Sequence, residues 1–537
     1  MRMRRFNGWG EAGVSLPVSA SAAAYLAERV GSSRAPQDMT LADLLARVSP
    51  SRIAEHDLPS GVRISLDQKE RLQHATGQSL PDWIALRGGT LARVPDAVAY
   101  PESRDEVRAL LTFAQKTRTR VIPFGGGTSV VGHLTAPAGE QAVLTVDMSH
   151  MNRMLSLQKE ERLATFQAGV RGPHLEAELQ AHEYTLGHYP QSFEYSTLGG
   201  WVATRSVGQF SLGYGRIDSL FAGGHLETPE GSLDVPSFPA SAAGPDLRQW
   251  ILGSEGRLGI LTECTVRVSP VPERETVHAA FFEGERAALE AVRDLAQTGI
   301  GLTMIRLSLA AETATTLALS EHHRALGWLN RFLRLRGVKH DQCLLLYGAV
   351  GRAFDVSNRL LKARRIIAGH GGVFVGPHIG REWYDKRFLT PYLRNSLWDL
   401  GYAIDTLETA VTWNRCASTV AAIEGALKDA LQSFGERVHV FTHLSHVYPY
   451  GSSVYVTYVF RLGATPDDTL IRWQALKQGA SEAILKSGGT ISHQHGVGLD
   501  HRAYLQGEKG LLGLDLIRSA LRTADPEELM NPGKLLE

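Results

Sequence analysis

Cysteine is scarce in this sequence. Only Cys264, Cys343 and Cys416 occur in 537 residues, far apart and with no CxxC pair. A disulfide framework and a cysteine-ligated metal are therefore set aside, and a reducing compartment fits best. A surplus of charge is missing too. Lys plus Arg and Asp plus Glu each number 56, so the formal net charge is zero. Bulk basicity cannot carry nucleic-acid binding, and there is no acidic disordered tail. No run of about 18 apolar residues marks a membrane-spanning helix. The start MRMRRFNGWGE is basic but lacks the apolar stretch of a secretory signal. Internal repeats and low-complexity tracts are also missing.

Glycine is in excess. It numbers 54 of 537, about 10% against a usual ~7%. With no Gly-X-Y period and no glycine-rich linker, these residues belong in ordered loops. At roughly 150 residues per domain, the length allows about three or four domains.

Residues 1 to about 90 read as helices and loops, with a linker-like stretch from Leu58 to Arg63. Val94 to Tyr100 is extended. Ser103 and Asp105 can cap a helix whose Val107, Leu110, Leu111 and Ala114 keep helical spacing. Arg120 to Phe124 is a strand that ends abruptly at Gly125-Gly126-Gly127. Ala142 to Val146 and Leu163 to Ala168 read as strands, and Leu175 to Leu186 as a helix. Residues 187 to 224 form an ordered, functional loop region. Leu247 to Leu252 is a short helix and Leu261 to Val268 an alternating strand. From about Glu275 the pattern becomes α+β. Amphipathic segments fall at Arg286 to Thr298, Phe354 to Ala368 and Thr419 to Phe434. Strand-like runs fall at Cys343 to Tyr347, Val438 to Phe441 and Val454 to Phe460. Thr469 to Leu485 is helical and stops at Gly488-Gly489.

Three loops carry the glycine signal. In Pro123-Phe124-Gly125-Gly126-Gly127-Thr128-Ser129 a strand delivers three glycines and two hydroxyls. Successive glycines can turn backbone N–H groups towards one point, an anion nest suited to pyrophosphate. It is not a P-loop, because no Lys-Ser/Thr follows, and the G-x-G-x-x-G spacing of a Rossmann turn fails. The second loop, Ser192 to Gly200 continuing through Thr204-Arg205-Ser206 to Gly208, is dense in small residues and hydroxyls. The third is Gly253-Ser254-Glu255-Gly256-Arg257-Leu258-Gly259-Ile260. Each alone is also compatible with a ligand-free turn; together they point to a flat, phosphate-bearing ligand.

Beyond the loops, Ser492-His493-Gln494-His495-Gly496 places two histidines on one face of an extended segment. They can exchange protons near neutrality or stabilise a developing anion. A zinc site with His443 and His446 and a purely structural pair stay open as alternatives. Alternation along Val454 to Phe460 sends Tyr455 and Thr457 one way, Val456 and Tyr458 the other. Arg306, a charge in an apolar run, and Arg394 could each fork onto an anion, or simply be surface arginines on helices.

In this order, PFGGGTS, YSTLGGWVATRSVG and GSEGRLGILTE resemble the vanillyl-alcohol-oxidase/PCMH-type FAD-linked oxidase family, nearest its alkyldihydroxyacetonephosphate synthase branch. The stretches Phe6 to Gly10, Asp147 to Arg153, His188 to Ser192, Leu407-Glu408-Thr409 and SHQHGVG are similar as well. The resemblance covers nearly the whole chain. It implies an α+β protein with a helical N-terminal extension (1–90) and a two-subdomain PCMH-type FAD-binding domain (91–272). An α+β cap (273–465) and a C-terminal segment (466–537) that completes the active site follow. It implies non-covalent FAD on Pro123, Phe124, Gly125, Gly126, Gly127, Thr128 and Ser129. Gln191, Ser192, Phe193, Glu194, Tyr195, Ser196 and Thr197 continue the site, as do Thr204, Arg205, Ser206 and Val207. Ser254, Glu255, Gly256, Arg257, Leu258, Gly259 and Ile260 complete it. Tyr455 maps to the family's catalytic tyrosine, Arg394 to its phosphate-binding arginine and Arg306 to a second active-site arginine. The family's three histidines map to His493, Gln494 and His495, and Gln494 cannot titrate.

The implied reaction exchanges the acyl group of acyl-dihydroxyacetone phosphate for a fatty alcohol, in ether lipid synthesis, through a flavin N5 adduct. Tyr455 is the base in that scheme, helped by nearby cations because a free tyrosine titrates near ~10. The expected partner is a small or lipid-like substrate with an anionic head. No metal and no nucleic acid are expected. Peripheral membrane contact and a homodimer stay open. Because the match begins at Phe6, a cytoplasmic location is the simpler expectation. The alternatives are a FAD-dependent D-2-hydroxy acid dehydrogenase or oxidase, disfavoured by the lack of a G-D-x-N-x-H run near Phe441 to His446, and a non-catalytic flavoprotein.

Overall fold

The computed structural model describes residues 4–319 and 323–536. Three main sheets organise them. The first orders strands Arg63–Ser65, Ala97–Tyr100, Val143–Asp147 and Arg120–Phe124, the last three mutually parallel. Helix Arg104–Thr117 supplies the crossover. Its Ser103 hydroxyl accepts from the Glu106 N–H at 3.2 Å, the expected N-cap. Val107, Leu110, Leu111 and Ala114 are buried beneath it. Each of the three larger side chains is worth about 1.5–3 kcal/mol against exposure. The stretch expected as a linker instead leads into strand Arg63–Ser65, and Leu58 and Val62 pack on this core.

The second sheet is antiparallel: Met154–Gln158, Leu163–Gln167, Ile260–Arg267, Phe221–Thr228 and Gly231–Val235. The expected helix over 175–186 runs instead from Gly172 to Gln180. Glu183, at φ +67, then reverses the chain into the two-residue strand Tyr184–Thr185. Within 187–224 the loop closes into helix Leu198–Thr204 and two single turns.

The third sheet has eight strands. Its path runs Val373–Gly376, Arg274–Glu283, Gln342–Gly351, Met304–Ser308, Val438–Leu444, Gly451–Arg461 and Tyr402–Thr412, and Val447–Tyr448 pairs beside Gly451–Arg461. Helices Glu285–Gln297, Ala353–Gly369, Cys416–Ala430 and Pro466–Lys486 bury the largest core against one face. Val454, Val456, Tyr458 and Phe460 point into that core, as the alternation predicts. The C-terminal chain then returns to the first sheet, where Val121 donates to the Leu529 carbonyl and Asn531 donates to the Val121 carbonyl. The three cysteines are buried and unpaired. Among the described residues, no helix is long and apolar enough to cross a membrane.

Candidate active site

Strand register builds the site. Tyr455 lies opposite Glu408 on one side and His443 on the other, and Ser308 lies opposite His443. Directly opposed residues share a sheet face. A polar row therefore crosses four strands, and Arg306, two residues before Ser308, stands on the same face. Tyr455 keeps some accessible surface while its neighbours Val454 and Val456 have none, so it borders an internal space.

At one end of the row, Glu312 anchors the charges. Its Oε1 accepts from Arg306 Nη2 at 2.5 Å and from Ser308 Oγ at 3.1 Å. Its Oε2 lies 2.7 Å from His443 Nδ1. Burial alone would raise the Glu312 pKa. The facing His443 and Arg306 outweigh it and hold Glu312 at about 2, below its usual 4.5. His443 is itself pushed down by burial and by Arg306. It is therefore a neutral ring at neutral pH, and Arg306 is the lasting cation that keeps Glu312 ionised. Neutral His443 donates Nδ1–H to Glu312, so the 3.2 Å approach of Arg306 Nη2 to the same nitrogen is a contact and not a second bond. The His443 ring stacks on Tyr455 at 4.6 Å and 16°.

At the other end, the loop expected to carry the histidines lies over Glu408. The His493 N–H donates to the Glu408 carbonyl at 3.2 Å, and His493 Nδ1 sits 3.0 Å from Glu408 Oε1, off the line of a hydrogen bond. His493 Nε2 meets the Tyr448 hydroxyl at 2.7 Å and Arg216 Nη1 at 3.2 Å. His446 stacks on His493 at 5.3 Å, and burial pushes it down to about 3. Burial also lowers His495, whose ring meets Tyr455 edge-on at 5.9 Å. Tyr448, His493, Gln494 and Arg216 open on a cavity of about 1000 Å³, which Thr204, Arg205 and Ser254 border from the loop side. Among the described residues, no group of three His, Cys, Asp or Glu could hold a metal ion.

Nearby cations were expected to lower the Tyr455 pKa. Burial instead drives it up, well above 10, with Glu408 and Asp405 adding to the rise and Thr406 and Arg306 only partly opposing it. Arg394 begins helix Leu393–Asp399 at its second residue. Its Nη1 donates to the Gln78 carbonyl at 2.7 Å, and its guanidinium lies 4.4 Å from the Trp83 ring centroid. Its Nη2 is buried and has no acceptor among the described residues.

The glycine loop is closely packed on one side. A Cβ on Gly126 would lie 1.9 Å from the Tyr195 carbonyl oxygen, and Gly127 takes φ +68. The N–H groups of Gly126, Gly127, Thr128 and Ser129 donate to no acceptor among the described residues. Free N–H groups converging from a glycine turn fit a diphosphate. Thr197 caps helix Leu198–Thr204 through Gly200 N–H at 3.3 Å. Other loop residues hold the framework. Glu255 accepts from Val497 N–H and, at 2.8 Å, from Gly498 N–H, and it pairs with His133 at 3.0 Å. Arg257 donates to the Met530 carbonyl at 2.9 Å, Arg205 to the Leu252 carbonyl at 3.1 Å, and Gln191 to the Arg387 carbonyl at 2.5 Å. Ser196 accepts from Trp201 Nε1 at 2.7 Å, and Tyr195 meets Tyr392 hydroxyl to hydroxyl at 2.7 Å. Phe193 and Val207 are core residues. Reading the sequence missed Glu312, Arg216 and Tyr448, and it named Glu408 only within a stretch that resembles the family, with no role.

A glycine loop with free N–H groups and a sheet-borne Tyr/His/Arg cluster fit a FAD-linked enzyme, and the chain belongs to the vanillyl-alcohol-oxidase/PCMH-type FAD-linked oxidase family. Residues 95–234 match the FAD binding domain, and 271–535 match the C-terminal domain of FAD linked oxidases. Its cofactor is FAD. Within the family the chain is similar to alkyldihydroxyacetonephosphate synthases. That of Dictyostelium discoideum is 31% identical, over 88% of this chain and 78% of the relative, and that of Trypanosoma brucei brucei 29% over the same shares. A solved alkyldihydroxyacetonephosphate synthase superposes with TM-score 0.82 at 25% identity over 98% of both chains. A mitochondrial cytochrome D-lactate dehydrogenase of Arabidopsis thaliana is 26% identical over 82% of this chain and 74% of its own. Substrate-bound p-cresol methylhydroxylase, at TM-score 0.67 and 15% identity over 97% of this chain and 98% of its own, shares the fold.

Proposed function

We propose that this enzyme exchanges the acyl group of acyl-dihydroxyacetone phosphate for a fatty alcohol, an alkylglycerone-phosphate synthase reaction. The observation that carries this reading is Arg394, a buried cation with one Nη2 donor lacking an acceptor. A buried donor left unmade costs about 1–3 kcal/mol. A phosphate beside Tyr455 removes that cost, and the alkyldihydroxyacetonephosphate synthases that this chain resembles are named for a phosphorylated compound.

Bound FAD supplies an electrophilic ring position and, in this reaction, no net oxidation. It would rest on 123–129, 191–197, 204–207 and 254–260, held non-covalently. Arg394 holds the phosphate. Tyr455 faces the reacting C1 carbon. Because burial keeps it a neutral phenol, it takes the C1 proton only as its own hydroxyl proton passes to the neutral His495 ring beside it. His493, set between Glu408 and Tyr448, carries the proton of the incoming alcohol. Arg306, engaged by Glu312, positions His443 and with it the Tyr455 ring. A boundary near 272 is supported by the first two main sheets preceding it and the third following it, whereas strand Arg63–Ser65 ties the N-terminal extension to the first sheet.

The test supplies acyl-dihydroxyacetone phosphate and a long-chain alcohol. Fatty acid and ether product should appear while the flavin stays oxidised. Bleaching of the flavin by a D-2-hydroxy acid, with no exchange, would select the dehydrogenase. Tyr455→Phe should cut turnover ~10²–10⁴-fold, the usual share of a proton-transfer group, with FAD retained. Near-normal turnover would remove Tyr455 from its role.

A further inference from the structure

The N-terminal strap reaches the glycine loop from outside both matched domains. Arg5 N–H bonds to the Gly10 carbonyl at 2.9 Å, and Arg4 bridges to Glu11, so residues 4–11 form a tight reversal. Asn395 clamps it from the helix that carries Arg394: its side chain accepts from Trp9 N–H and donates to the Trp9 carbonyl, both at 3.0 Å. Trp9 also packs edge-on to Tyr195 at 5.6 Å. Gly10 is required here. It sits at φ +80, and a Cβ would lie 2.2 Å from the Tyr392 ring.

This clamp drives Arg4 inward. Arg4 Nη1 donates to the Gly126 carbonyl at 2.9 Å, and its guanidinium lies 5.0 Å over the Tyr195 ring. The residue as a whole is only half-buried, but its head group is deep: burial lowers its pKa, and the Arg171 cation lowers it further. Arg171 precedes helix Gly172–Gln180, and its backbone bridges to Thr197 of the second cofactor loop. Neither arginine has an ion-pair partner among the described carboxylates. Asp147, which acts on Arg4 at longer range, is engaged by His74 Nε2 at 2.9 Å and by Ser149 N–H at 2.8 Å. Arg4 thus lies against the loop of four free N–H groups, and Arg171, anchored by its backbone to Thr197, acts on it as a second cation. Like charges brought together out of water are unfavourable unless an anion joins them.

We infer that Arg4 is a cofactor-binding residue, supplying with Arg171 the positive charge that holds the FAD diphosphate on the Gly126–Ser129 nest. The inference rests on the FAD cofactor and not on the acyl-exchange reading, so either can fail alone. The opposing view is that Arg4 only ties the strap down.

The experiment follows release of FAD from the purified holoenzyme on dilution, by the fluorescence of freed flavin, at low and at high salt. Arg4→Ala should weaken FAD retention about 10–100-fold, the worth of a charged hydrogen bond. Arg4→Lys, which keeps the charge, should recover much of it, and the salt dependence should be shallower in Arg4→Ala than in the parent. Asn395→Ala loosens the same strap but keeps the charge, and it should lose far less FAD. The inference is overturned if Arg4→Ala retains FAD like the parent, if Arg4→Lys is as poor as Arg4→Ala, or if Asn395→Ala matches Arg4→Ala with unchanged salt dependence.

Discussion

Glu312→Gln removes one charge and almost no volume. Glu312 sits beneath the polar row, with Arg306, Ser308 and His443 on its two oxygens. Its pKa falls from 4.5 to about 2 on folding, against the direction of burial. At 1.36 kcal/mol per pH unit, that fall is worth about 3 kcal/mol of stability. The amide cannot replace it. Its NH2 must face either Arg306, donor against donor, or His443, whose proton must then move to Nε2. At neutral pH His443 is uncharged and only Arg306 and the hydrogen bonds act on Glu312, so the expected loss is about 1–3 kcal/mol, the cost of a buried group left without its partner. Urea unfolding of the FAD-loaded protein, followed by tryptophan fluorescence, measures it. The pH dependence supplies a second check. A depressed carboxylate stabilises fully above its unfolded pKa of 4.5 and loses that contribution as pH falls towards 2. The gap between parent and variant should thus narrow as pH falls below 4.5. A loss under about 1 kcal/mol, the worth of one neutral hydrogen bond, would refute the reasoning. So would a gap that does not narrow in acid.

Arg394→Gln should change stability little and function strongly. It removes a buried donor without an acceptor, which offsets the lost bond to the Gln78 carbonyl and the lost stacking on Trp83. KM for the phosphorylated substrate should rise about 10–100-fold with kcat little changed, the loss of one charge-assisted bond; steady-state kinetics with the acyl substrate separates the two. Gly126→Ala places a methyl 1.9 Å from the Tyr195 carbonyl oxygen, so one of two backbones must shift. The purified variant should lose its yellow colour or fail to accumulate folded, and a yellow, stable Gly126→Ala protein would contradict the close approach.

The local half of this molecule was legible in its sequence. Ser103 announced a helix start, the alternation from Val454 placed Tyr455 on the face opposite the main core, and a strand running into three glycines announced the nest. These are short-range signals: a cap, a period of two, a turn. Strand Arg63–Ser65 was not legible. Its three residues have little pattern of their own and become a strand by pairing with Ala97–Tyr100. The same holds for Tyr402–Thr412, whose Asp405 and Glu408 interrupt an otherwise apolar run. Both carboxylates are buried. Asp405 is tolerated because Tyr458 and Trp473 donate to it at 3.1 and 2.7 Å, and Glu408 because His493 and His446 face it.

The electrostatics of the site show why residue type alone misleads. Histidines and arginines gathered near a tyrosine suggest a lowered phenol pKa. Burial reverses that expectation, and register adds to it, because the partner directly opposite Tyr455 is Glu408, an ionised carboxylate. The cation on the same face, Arg306, is largely neutralised by Glu312. His443 and His495 are held neutral by burial, so they supply no charge at neutral pH. A protonated Tyr455 flanked by neutral imidazoles can relay a proton but cannot hold one off. The pH–rate profile should therefore show no rising limb from tyrosine ionisation between pH 6 and 9. A limb in that range that vanishes in Tyr455→Phe would mean that bound substrate reverses the balance of charges around the phenol.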